Sequence, residues 1–210
     1  DFSSYYDLYK RRLLPPLFYA NRVARDKGKQ AFITIPGIGC GQFAGEFKGK
    51  LGGRLKEVLK KILREHGELL SHVKALYYDP YDECNNEREE IAGISFLVRP
   101  LKKGNQDKPQ LCEPVKYEET GDDFGDCHLF SLVAWDHVSW PGNDFYIGSR
   151  ATDDGVKSAA TDSMAKITGI DGSYNTESKK YEPSYRTWEE VVKRNNLELT
   201  ISDNLLALPE

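Results

Sequence analysis

Between Ala31 and His66 the chain reads as strand, glycine-rich loop and helix, in that order. Residues 31–35 (AFITI) form a short apolar, β-branched run of the kind that suits a buried strand. The run stops at Pro36, and Gly37-Ile38-Gly39-Cys40-Gly41-Gln42-Phe43-Ala44-Gly45 follows. From Leu51 to His66, the residues Leu55, Val58, Leu59, Ile62 and Leu63 recur at the spacing of one helix face. A strand that passes through a glycine loop into an amphipathic helix is half of an α/β layered unit, because the helix must bury its stripe against the sheet.

The rest of the chain extends this pattern. Residues 5–27 read as helix, with an apolar stripe broken at Pro15-Pro16. Residues 73–78 (VKALYY), ending in Asp79-Pro80, and 94–98 (ISFLV) read as strands, and so do residues 129–135 (LFSLVAW), whose unalternating run predicts burial on both faces. Residues 102–126 read as a long surface excursion in which Asp122, Asp123 and Asp126 form a solvated face. A helix is predicted over residues 155–167, with Thr152, Asp153 and Asp154 as candidate caps. Residues 169–184 read as polar loop, 188–194 as a short helix and 197–201 as a last strand.

The length of 210 residues suits one domain. A net charge of -4 argues against a general nucleic-acid binder, and no apolar run approaches the ~20 residues of a membrane span. Cys40, Cys84, Cys112 and Cys127 lie too far apart for zinc-ligand spacing or a disulfide scaffold, so they read as free thiols in a reducing, cytosolic compartment. The opening on Asp1, without an initiator methionine, reads as a fragment of a longer protein.

In open α/β sheets ligands gather where loops leave the carboxyl ends of strands, and two loops here fit that description. The first is the glycine loop, whose successive backbone N–H groups suit a diphosphate; the alternative is a tight turn that needs glycine only for its backbone angles. Gly39-x-Gly41-x-x-Ala44 also meets a loose dinucleotide fingerprint, but Asp79 lies about twice as far on as the roughly 20 residues that motif expects. A P-loop is excluded, since no Gly-Lys-Ser/Thr occurs. The second loop carries Asp136, His137, Asn143, Asp144, Asp153 and Asp154. Grouped carboxylates position water and stabilise an oxocarbenium-like carbon. The competing readings are Asp153 as a helix cap, Asp144 in an Asx turn beside Asn143, and His137 as a hydrogen-bonded loop histidine.

The segment IPGIGCGQFAGEF, with its helix and the strand HVKALYYDP, resembles the macrodomain pattern P-x-x-G-x-G-x-[FY]-G, which wraps the diphosphate and distal ribose of ADP-ribose. ATDDGVKSAATDSMAKITG is similar to the second macrodomain signature, a helix that opens beneath the distal ribose. Together they span about residues 31–169 and resemble macrodomain ADP-ribosyl hydrolases, above all the MavL group of Legionella effectors. The resemblance implies a three-layer α/β/α fold with a mixed central sheet, and the order of the two loops is the reverse of the usual one, which implies a permuted wiring. It implies ADP-ribose as ligand or product and removal of ADP-ribose from an arginine side chain, with ubiquitin as a modified protein and secretion into a host cytoplasm. By the same resemblance Asp136, Asp144 and Asp154 are the catalytic aspartates, and Gly37, Ile38, Gly39, Cys40, Gly41, Gln42, Phe43, Asn143, Gly155 and Val156 contact the ligand, without a metal cofactor. The alternatives are a reader that binds ADP-ribose without cleaving it, and an interaction domain with a vestigial pocket.

Overall fold

The computed structural model describes residues 1–108, 113–132, 172–175 and 180–183, with helical positions 190 and 193. Its frame is a five-stranded mixed sheet, in the order β3-β4-β2-β1-β5. Strands β1 (Gln30–Pro36), β2 (Val73–Asp79), β4 (Ile94–Val98) and β5 (Cys127–Ser131) run parallel, and β3 (Glu87–Ile91) pairs antiparallel with β4 at one edge. The long α1 (Phe2–Asp26) precedes the sheet and α2 (Leu51–His66) links β1 to β2.

Side-chain alternation along the strands divides the core. On one face Ile33, Ile35, Leu76, Tyr78, Phe96 and Val98 pack with Leu13 and Leu17 of α1 and with Leu55, Leu59 and Ile62 of α2. On the other, Phe32, Ala75, Tyr77 and Leu97 meet Tyr117 and Phe124. The Tyr117 ring lies 4.8 Å from Phe32 and 4.6 Å from Tyr77, centroid to centroid. The excursion expected over residues 102–126 is therefore no mere surface loop, because its two aromatics seal one face of the sheet. Asp122 departs from the solvated face as well: its side chain is 3% exposed and takes both arms of Arg88, at 2.6 and 2.9 Å.

Other expectations change too. α1 runs unbroken through Pro15 and Pro16. The missing N–H groups leave the carbonyls of Arg11 and Arg12 without their helical donors, but both residues lie on the exposed side, where water replaces the bond. β3 (EREEI) is a strand in spite of its charges, joined to β4 by a tight turn with Ala92 at φ 51° and Gly93 at φ 76°. β5 is half-buried along its length, not buried on both faces. Residues expected as polar loop contain a hairpin, β6 (Gly172–Asn175) with β7 (Lys180–Pro183). The predicted helix over 155–167 and the strand over 197–201 lie outside the described residues.

The topology positions a site. From β1 the chain steps outward through β2 to β4, then returns to lay β5 on the opposite side of β1. The carboxyl ends of β1 and β5 are thus neighbours at the point where the winding reverses, which is where α/β sheets leave a crevice. Pairing holds to the end of the described strand, Leu132 N–H donating to Thr34 O at 2.9 Å.

Candidate functional site

Both loops singled out in the sequence leave this point. The glycine loop begins as β1 ends at Pro36, and the segment that carries the aspartates begins as β5 ends. Asp136, His137, Asn143, Asp144, Asp153, Asp154, Gly155 and Val156 themselves lie outside the described residues.

Within the glycine loop the three alternate glycines have different reasons to be there. A Cβ on Gly37 would sit 3.1 Å from Pro80 Cα and 3.3 Å from Cys40 Cβ, so a side chain there would press on both neighbours and close backbone approach favours glycine. Gly39 has φ +78°, the left-handed region. A Cβ on Gly41 would meet none of the described residues within 4 Å, but its φ of -84° with ψ -127° lies outside the regions that a residue with a side chain readily adopts. Gly37 N–H donates to Asp79 O at 2.8 Å and Cys40 N–H to Gly37 O at 3.0 Å. Among the described residues no acceptor meets the N–H of Gly39 or Gly41. A 3₁₀ turn, Gln42–Phe47, follows, and its Phe43 ring is 81% exposed. An exposed aromatic next to open amides suits a ribose or base stacked above a phosphate. Lys48, Lys50 and Arg54 come next, all exposed and with no ion-pair partner among the described residues.

What lies beneath the loop was not foreseen from the sequence. Tyr9 of α1 donates its hydroxyl to Ile38 O at 3.1 Å, with the Tyr5 ring 4.6 Å from its own. Tyr78 donates to Gly52 O at 3.0 Å. Burial raises the Tyr9 and Tyr78 hydroxyls above their ordinary range, so both remain protonated donors. Cys40 lies in the same loop, but burial pushes its thiol up to about 12, and it faces the interior at 3.8 Å from Ile38 O. It is a neutral packing group and not a nucleophile.

A carboxylate already sits at the amino end of α2. Glu83 accepts from Gly49 N–H at 2.8 Å, just ahead of the helix, and from Gly52 N–H at 2.5 Å in its first turn. An anion at the glycine loop would be repelled by that charge, which favours the loop amides as its donors. Asp79, weighed as a ribose-binding acid, is 8% exposed and accepts from Tyr81 N–H and Leu101 N–H, each at 2.8 Å. That arrangement closes the turn after β2 and leaves the dinucleotide reading without its acid. Tyr9 carried a faint sequence signal, a hydroxyl on the buried stripe of α1, whereas Glu83 carried none.

A family model described as macrodomain effector MavL matches residues 1–187. The chain belongs to the MavL macrodomain effector family. The match takes in α1, the glycine loop and the whole aspartate segment, so the MavL family relation covers both loops and the elements that place them. Membership brings an ADP-ribose-related macrodomain function and agrees with the mixed α/β sheet. The comparison with curated proteins gave no match. Among the described residues no three His, Cys, Asp or Glu side chains group as metal ligands, and no helix is long and apolar enough to cross a membrane. Cys40, Cys84 and Cys127 are free thiols, and Cys112 lies outside the described residues.

Proposed function

We propose that this MavL-family chain hydrolyses the bond between ADP-ribose and a protein side chain, with arginine as the linkage and ubiquitin as a candidate carrier. The observation that carries the reading is the adjacency of β1 and β5, whose carboxyl ends lead into the glycine loop and the aspartate segment at the reversal point. Within the loop from Gly37 to Phe43, the open amides of Gly39 and Gly41 hold the diphosphate in this reading, with Phe43 against a sugar or base and Asn143, Gly155 and Val156 completing the contacts. Asp144 and Asp154 orient the distal ribose and a water, and Asp136 either anchors the loop or contacts the ligand directly. The water oxygen attacks the anomeric carbon as the carbon–nitrogen bond breaks and its electron pair passes to the guanidinium nitrogen; a carboxylate accepts the water proton and returns it to the guanidine so released, which departs as guanidinium. Water within ADP-ribose's own reaction suffices, and no metal enters the scheme.

Calorimetric titration with ADP-ribose, followed by incubation with arginine-, glutamate- and serine-linked substrates, tests the proposal. Binding with release of ADP-ribose from the arginine linkage alone is the expected result. Binding without release from any substrate makes the protein a reader, and absence of binding at millimolar ligand makes it an interaction domain.

A further inference from the structure

The peptide between Ile38 and Gly39 is oriented from below. Ile38 O receives the Tyr9 hydroxyl at 3.1 Å, and the Cys40 thiol approaches the same oxygen at 3.8 Å. In a trans peptide the carbonyl and the following N–H point in opposite directions. An Ile38 carbonyl held toward α1 therefore turns the Gly39 N–H away from it, and no described residue accepts from that N–H. Tyr9 is itself held, since its ring is 9% exposed and lies against Tyr5. The loop is also tight around the tyrosine, because a Cβ on Gly39 would come within 3.2 Å of Tyr9 Oη.

We propose that Tyr9 is a positioning residue for anion recognition: its hydroxyl fixes the Ile38 carbonyl inward and so presents the Gly39 N–H to a diphosphate. The N-terminal helix then belongs to the binding apparatus without touching the ligand. The proposal rests on the glycine loop being the diphosphate site of the functional reading above. Without the hydroxyl, the peptide is free to rotate, and the bound state must restore its orientation at the expense of affinity.

Tyr9→Phe keeps the ring and removes the hydrogen bond. Tyr6→Phe is the matched control, since Tyr6 is another buried α1 tyrosine, and its hydroxyl donates instead to Glu65 near the far end of α2. Calorimetry with ADP-ribose and with ADP should show affinity falling about tenfold in Tyr9→Phe, the size of one lost hydrogen bond, and unchanged in Tyr6→Phe. The Gly39 amide resonance in ¹⁵N-labelled protein should shift on addition of ADP in the parent and shift less in Tyr9→Phe. Parent-like affinity in Tyr9→Phe overturns the proposal while leaving the functional reading in place. Equal losses in both variants reduce Tyr9 to a general packing role and overturn it too. If the parent binds neither ADP-ribose nor ADP, the functional reading falls, and the proposal with it.

Discussion

Each of the three alternate glycines answers to the protein's own backbone: Gly37 to the closeness of Pro80, Gly39 to a φ of +78°, and Gly41 to a ψ of -127° at φ -84°, outside the regions open to a residue with a side chain. A Cβ at Gly41 would meet none of the described residues within 4 Å, so its cost is one of backbone conformation and not of collision. Gly41→Val should therefore melt several degrees below the parent, from about 1–3 kcal/mol of backbone strain, and lose ADP-ribose affinity by at least about tenfold, as a branched side chain occupies the phosphate position. Thermal melting beside calorimetry checks this, and parent-like affinity would remove the loop from the site. Gly39→Val is a less clean variant, because φ +78° and the nearby Tyr9 hydroxyl add strain that lowers stability as well. The alternating glycines were legible because only a few residue types permit such a loop. Tyr9 and Glu83 were not, since a tyrosine on a buried stripe reads as core, and a glutamate in a polar turn gives no hint of the distant amides it meets.

Elements with a periodic apolar face were legible to their ends, as α2 and β4 show, because the pattern that buries them is the pattern one reads. β3 was not, since EREEI has no apolar alternation to read: it pairs with the adjacent β4, and its charges are met by α2, far back along the chain. Glu87 meets Lys56 and Lys60, while Glu89 meets Lys60 and Arg64. Residues 113–126 were misjudged for the same reason, and a buried arginine holds them in place. Arg99, 7% exposed, donates to both oxygens of Glu119, at 2.5 and 2.7 Å, and to the carbonyls of Glu87 and Val98, at 2.6 and 2.8 Å. Glu119→Ala leaves that guanidinium only its carbonyls and should cost about 3 kcal/mol, the low end for breaking a buried pair. Hydrogen bonding to Arg99 holds the Glu119 carboxyl below its ordinary value of 4.5. The contribution is therefore complete above the unfolded-state value and drains away as pH falls through the lower native one. Urea unfolding of parent and variant should show a gap that is constant from pH 7 to about 5 and narrows below 4. A gap that persists undiminished in acid would assign the loss to packing around Tyr117 and Phe124.

At the scale of the molecule, the placing of the two loops depends on strand order, which no local pattern encodes. The residues told of parallel strands and of loops at their ends, but not that β5 returns beside β1, a fact fixed only when the whole sheet closes. That return brings the start of the aspartate segment beside the glycine loop, and in the proposed reading variants of the aspartates separate hydrolase from reader. If Asp144 and Asp154 act more on the transition state than on bound ADP-ribose, isosteric neutral changes should depress turnover far more than affinity. Asp154→Asn should hold ADP-ribose within about an order of magnitude of the parent and lose about 10²–10⁴-fold in release from an arginine-linked substrate, with Asp144→Asn similar. Asp153→Asn should be nearly silent, because asparagine caps a helix about as well as aspartate. Single-turnover release measured beside calorimetric affinity decides between them. A dead Asp153→Asn with a silent Asp154→Asn would place the catalytic carboxylate one residue earlier. A parent that binds and has no rate at all would leave the crevice between β1 and β5 as a site for recognition alone.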